Sequence, residues 1–259
     1  MRQRMLWVGL TACLGCLAAT GSGDAEPVHT ATRRPVLVEL FTSEGCSSCP
    51  PADALLERLD RTQPVNGAQI IVLSEHVDYW NHLGWQDPYS SRASSARQEL
   101  YARRFVLEGP YTPQMVVNGM AEFVGSDARK AETAIRAALR EPTLGVRLLA
   151  AHPGDSAVTL EVDAFPSGKA RKANVWVALA ADSGTSDVLR GENSGRRLHH
   201  VSIATELRQV GTVSDRAGFR SELTLRAGSR LIAFVQEPGN GRVWGAAMLA
   251  EGNHETTGR

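Results

Sequence analysis

The sequence is short of cysteine, aromatic residues, long apolar runs and net charge, and each shortage narrows its class. Twenty-eight Lys and Arg balance 28 Asp and Glu, so the formal net charge is zero. That leaves no bulk electrostatic drive toward nucleic acid or an anionic membrane, and no nucleic-acid partner is expected. Past the first 25 residues no stretch reaches the roughly 18 apolar residues of a spanning helix, so no transmembrane helix is expected in the mature chain. Aromatics are only 6% of the chain, which makes any local cluster of them informative. Disorder is disfavoured by a hydrophobic content of 42%. A length of 259 residues allows one or two domains.

There are four cysteines, and position changes their meaning. Residues Met1 to Arg4 carry two arginines, Met5 to Ala19 form an uncharged apolar run, and Thr20 to Ala25 are small or polar. This is the layout of a secretory signal over residues 1–25, with Gly23 and Ala25 at the small cleavage positions. The protein is therefore expected to be exported, to a periplasm or outside the cell. Leu10-Thr11-Ala12-Cys13 resembles a bacterial lipoprotein cleavage box but lies early for one, so soluble export is favoured over a lipid tether. Cleavage after Ala25 removes Cys13 and Cys16 and leaves Cys46 and Cys49. Exported domains commonly use cysteines to staple distant segments. Here the available bridge closes a loop of four residues and removes little unfolded-state entropy, which favours a chemical role.

Two textures follow. Val36 to Phe41 and Ile70 to Leu73 read as buried strands, and Ala52 to Asp60 as a helix with Leu55, Leu56 and Leu59 on its apolar face. Ser90 to Phe105 reads as helical. Gln114 to Val117 and Glu122 to Val124 form a hairpin about Asn118-Gly119, and Ser126-Asp127 caps a further helix that ends before Pro142. The order places residues 33–142 among α/β folds, with a helical insertion around 76–108. From Thr143 to residue 250 about seven strands separated by turn residues suggest an antiparallel, all-β sandwich-like domain, with a disordered tail over 251–259.

Cys46-Ser47-Ser48-Cys49 lies between a buried strand and a helix. Unpaired N–H groups and the helix dipole stabilise a thiolate at such a position. Cys46 is then the nucleophile and Cys49, one turn on, the resolving thiol. Pro50-Pro51 donate no N–H and belong in a first helical turn, which places the helix start near Ser48 and weakens this effect.

The strand, the C-x-x-C and the following helix resemble the active-site segment of thioredoxin-like proteins. The resemblance implies that Pro113 is a cis-proline facing the cysteines, that the Thr112 backbone pairs with a bound peptide, and that Glu39 is the buried proton acceptor for Cys49. The run Glu39 to Asp53, taken with His76-Val77-Asp78-Tyr79-Trp80, Gly84-Trp85-Gln86-Asp87-Pro88 and Arg190 to Arg196, is similar to an exported bacterial family, domain of unknown function 1223. That family has no settled activity. A thioredoxin-like domain before a β-sandwich-like domain is the fold this implies.

His76, Trp80, His82 and Trp85 form an aromatic-rich segment, read either as a substrate wall beside the cysteines or as a self-packed loop. His199-His200 lies in a strand whose alternation sends the rings to opposite faces, against joint chelation. Arg190 to Arg197 reads as a solvated loop. The function expected is thiol–disulfide exchange with protein or small-molecule thiols, with no cofactor and no resident metal. Two alternatives stay open: a binding protein with an inert disulfide, and a carrier of Cu(I) or zinc on the two cysteines and a histidine.

Overall fold

Two strands with almost no exposed residue organise the fold: β1 (Arg34–Thr42) and β2 (Ala68–His76) run parallel, Val36 opposite Ile70 and Val38 opposite Val72. Strands covered on both faces read as continuous apolar runs, which is why their sequence shows no alternation. The computed structural model describes residues 33–152, 155–167 and 171–250. The expected leader over 1–25 and tail over 251–259 lie outside the described residues.

Val36, Val38 and Leu40 project to one side of β1 and pack on α1 (Pro50–Thr62) through Ala52, Leu55, Leu56 and Leu59, spaced for one helix face. Cys49 is the N-cap residue of α1, and Pro50 and Pro51 fill its first two positions, where a missing N–H costs nothing. The helix thus starts two residues later than the sequence suggests. After α2 (Arg92–Arg104), capped by the Ser91 hydroxyl accepting from Ser94 N–H at 3.1 Å, comes the hairpin β3 (Gln114–Val117) and β4 (Ala121–Val124). Its turn residues Asn118 and Gly119 both have positive φ. At Gly119 a Cβ would lie 2.2 Å from the Gly241 carbonyl oxygen, so only glycine fits. Helix α3 (Ala128–Ala138), capped by Asp127, closes the same core with Ala131 and Ile135.

Seven strands follow: β5 (Val146–Ala150), β6 (Ala157–Val162), β7 (Lys172–Asp187), β8 (Arg197–Ser214), β9 (Phe219–Thr224), β10 (Ser229–Gln236) and β11 (Val243–Ala250). They do not form a body of their own. Strand β8 pairs antiparallel with β7 along its length and meets β2 in parallel at Ser74 and Ile203. One eight-stranded mixed sheet results, in the order β11-β10-β7-β8-β2-β1-β3-β4, with a second sheet β5-β6-β9. The expected architecture, a thioredoxin-like α/β domain followed by an all-β sandwich-like domain, is therefore overturned: the described chain is mostly β, with three α-helices and a sheet that runs through both halves.

The physical reason lies at the free side of β2. A buried strand needs ladder partners on both sides, and β8, about 130 residues later, supplies the second one. The other face of β1 and β2 is closed by the same sheet bending back, since Leu37, Ile71 and Leu73 share a core with Ala178, Ala180, Ile232 and Phe234.

Candidate functional site

The turn between β1 and α1 holds Cys46 and Cys49 as a disulfide. Both cysteines are covered, Cys46 at 1% and Cys49 at 0% exposure, whereas Ser47 and Ser48 between them are exposed. The helix start does not offer the donors expected of it. Pro50 and Pro51 have none, and the N–H groups of Ala52 and Asp53 both go to the Cys49 carbonyl, at 2.8 and 3.1 Å. The Ser48 hydroxyl, 3.4 Å from Cys46 Sγ, is the polar side chain in contact with that sulfur.

The cover comes from the tip of the β7–β8 hairpin, the segment expected to be a solvated loop. Asn193 Nδ2 donates to the carbonyl oxygens of Glu44 at 2.8 Å and Cys46 at 2.9 Å, and Arg196 holds the Asn193 Oδ1 at 3.0 Å. Glu192 Oε2 accepts from Ser47 N–H at 3.1 Å, and the Ser47 side chain together with this N–H lowers the carboxyl pKa. Hairpin and cysteine turn are thereby tied backbone to side chain at three points.

A buried acid–base cluster lies against the same turn. Glu44 accepts from the Ser186 hydroxyl, from Trp85 Nε1 at 2.8 Å and from His200 Nε2 at 3.2 Å. Burial alone raises the Glu44 carboxyl, but these three donors outweigh it and hold the pKa below the ordinary value. The Nδ1 of His200 lies 3.7 Å from Asp53 Oδ1, an ion-pair distance too long for a hydrogen bond. Burial opposes the charge on His200, yet Asp53 and Glu44 prevail and push its pKa up to about 9. Edge-on to His200, at 4.5 Å between ring centroids, sits His76, whose Nδ1 pairs with Asp87 Oδ2 at 2.7 Å. Asp87 in turn accepts from Glu44 N–H at 2.9 Å; burial is overcome by His76 and by backbone donors, and the acid stays below its usual range.

Of the residues singled out from sequence, His76, Trp80, Trp85, Thr112 and Pro113 all lie around this turn. Trp80 packs its Cβ against Gly45 and donates from Nε1 to Thr112 Oγ1 at 2.8 Å. The Thr112–Pro113 peptide is cis, and Pro113 and Ala52 of α1 both flank Gly125, where a Cβ would sit 3.2 Å from each. Glu39 is elsewhere. It alternates with Val38 and Leu40, so its carboxylate leaves the opposite face of β1 from α1. There it accepts from Arg97 Nε at 2.6 Å and Tyr101 OH at 2.5 Å. Arg97 also binds Gln236 and Asn240 and lies 3.4 Å from Glu75. Burial drives the Glu75 carboxyl well above its ordinary value, with Arg97 opposing and Glu39 adding to the rise.

The residues that sequence reasoning missed are Glu44, Asp53, Asp87, Asn193 and His200. Four of them fall inside the quoted motif runs, which was the available signal. His200 was set aside with His199, and alternation does separate them: His199 is exposed and His200 buried.

The protein family of unknown function DUF1223 matches residues 37–236. The chain belongs to that family. Among solved structures, this DUF1223 chain is similar to protein AGR_C_4864 from Agrobacterium tumefaciens, with 26% identity over 88% of this chain and 99% of the other and a TM-score of 0.71. HBP35 of Porphyromonas gingivalis is similar in fold, at 17% identity and a TM-score of 0.54 over 88% and 78% of the two chains. No curated protein matches the sequence.

Two outcomes follow from these charges. Glu39→Gln leaves Arg97 without its closest anion, so urea denaturation is expected to show a loss of roughly 2–3 kcal/mol, with the thiol–disulfide equilibrium of the distant cysteines unchanged within twofold. His200, raised from 6.5 to about 9 on folding, contributes its stabilisation in full below about pH 6.5 and loses it as the pH climbs through about 9. Thermal denaturation across that window is expected to show a falling midpoint in the wild type and a flatter profile in His200→Gln.

Proposed function

We propose that this protein is exported and exchanges disulfides with protein or small-molecule thiols through Cys46 and Cys49. The observation that carries the reading is the company the disulfide keeps: Glu44, Asp53, Asp87, His76 and His200 are buried together beside the turn that holds it. Buried titratable groups gathered at one turn are a mark of chemistry more than of stapling. The cis Thr112–Pro113 bond beside the start of α1 and the leader-like first 25 residues support the same reading.

In the exchange, a thiolate attacks Cys46 Sγ and forms a mixed disulfide as the Cys46–Cys49 bond breaks. The electron pair leaves on Cys49 Sγ, which takes up a proton. A second thiolate then displaces Cys46 and leaves as the oxidised partner. Attack needs access, and at 1% exposure Cys46 is reached only when the Asn193 cap lifts. The burial of both sulfurs favours a second reading, in which the disulfide is inert and the chain is a binding protein.

Trapping separates the two. Reduced Cys49→Ser protein, incubated with oxidised glutathione and with an envelope extract, is expected to give mixed disulfides at Cys46 by mass spectrometry. Adding Asn193→Ala, which removes both side-chain hydrogen bonds from Asn193 to the cysteine turn, is expected to speed adduct formation about tenfold. No adduct in either protein means an inert pair.

A further inference from the structure

Resting on the exchange reading, we infer that His200, seated between Glu44 and Asp53, is the positioning residue that sets how readily the cysteine pair yields a thiolate, and that Asp53, not Glu39, is the acid coupled to it.

The geometry connects both ends of the redox loop through one ring. Glu44 precedes Cys46 by two residues and holds His200 Nε2 at 3.2 Å. Asp53 follows Cys49 by one helical turn, donates its own N–H to the Cys49 carbonyl at 3.1 Å, and presents Oδ1 to His200 Nδ1 at 3.7 Å. Side chains one turn apart share a helix face, so Asp53 lies on the side of α1 that carries Cys49. Asp53 Oδ1 and His200 Nδ1 are both buried and neither has a hydrogen-bond partner. Leaving two such atoms facing each other without a hydrogen bond costs stability, and what couples them at 3.7 Å is charge.

Apart from the Ser48 hydroxyl at 3.4 Å from Cys46 Sγ, other sources of thiolate stabilisation are closed. Pro50 and Pro51 carry no N–H, the next two amides serve the Cys49 carbonyl, and Glu39 is bound to Arg97 across the sheet. What remains is charge. The groups facing His200 are Glu44 from the turn, Asp53 from α1, His76 from the end of β2, and Tyr89 at 5.7 Å from the loop before α2. Asp87 lies behind His76, and Ser186 of β7 binds the same Glu44. A thiolate formed here joins two carboxylates, and the imidazolium, charged up to about pH 9, is the counter-charge that makes it tolerable. In the exchange step the Cys49 thiolate that leaves is met by this cation and takes up its proton from solvent.

Removing the cation and removing the acid therefore act in opposite directions, which a merely structural role does not produce. Chemically reduced wild type, His200→Gln and Asp53→Asn are titrated by their ultraviolet thiolate absorbance. The more acidic thiol is expected to titrate about one pH unit higher in His200→Gln, tenfold less thiolate at a given acidic pH, and about one unit lower in Asp53→Asn. The wild type supplies a test free of mutation. By reciprocity the His200 ring, followed by NMR, must titrate higher in the reduced protein than in the oxidised one. Shifts of the same sign in the two variants, no shift, or a ring titration indifferent to redox state overturns the inference. Adducts at Cys46 in Cys49→Ser without these shifts leave exchange standing and remove His200 from it, and shifts without adducts do the reverse.

Discussion

The hydrogen bond from the Ser202 hydroxyl to the Val72 carbonyl, 2.6 Å long and buried, fixes where β8 meets β2. Beside it the two strands share the pairing of Ser74 with Ile203, and Ser202 itself bends through a positive φ of 49°. Much of what surrounds the disulfide follows from that seat. His200 sits two residues before Ser202 on the same strand and turns inward between Glu44 and Asp53. The hairpin tip that precedes it then falls across the cysteine turn, where Asn193 binds two of its carbonyls. A shift of β8 by one residue would place His199 inward instead and withdraw the cap.

Two buried charge systems flank β1, and they are built differently. On the face away from the cysteines Arg97 is pinned by Glu39, Tyr101, Gln236 and Asn240 and stacks against Trp176 and Phe234. Nearly all its donors are used, and it joins α2 and β1 to the end of β10, as a structural clamp does. On the cysteine face His76 Nε2, His200 Nδ1 and Asp53 Oδ1 are buried without hydrogen-bond partners, as Glu75 Oε1 is beside Arg97. Such atoms each cost of order 1–3 kcal/mol. Folding bears that cost next to a disulfide.

Local signals carried much of the secondary structure. The apolar runs of β1 and β2, the face of α1, the Asn118-Gly119 turn and the Asp127 cap are written in neighbouring residues, and the structure has each of them. The sheet was not legible, because the pairing of β2 with β8 joins residues about 130 apart and leaves no mark in either strand. Its loss misdirected the site as well. Glu39 was linked to the cysteines by resemblance to the buried acid of thioredoxin-like proteins, whereas strand alternation sends it to the far face, toward an arginine on α2. His200 was invisible for the converse reason: what brings it to Glu44 and Asp53 is the long-range pairing and not a motif. Asn193 stood in a stretch whose glycine and charge content suggests solvent, and only the hairpin's length carries it onto the cysteine turn.

A disulfide closing four residues contributes little to stability, yet here it is shielded by a hairpin tip and set among five ionisable side chains. Shielding and chemistry are compatible if the cap opens for a partner, and the pair's potential decides whether it is poised to react. The direct measurement is a redox titration of Cys46 and Cys49 in the wild-type protein against glutathione, with alkylation and mass spectrometry to count thiols. A potential above about −250 mV is the result expected of an exchange-competent pair, and one below about −300 mV would mark a structural bond and contradict the proposed function.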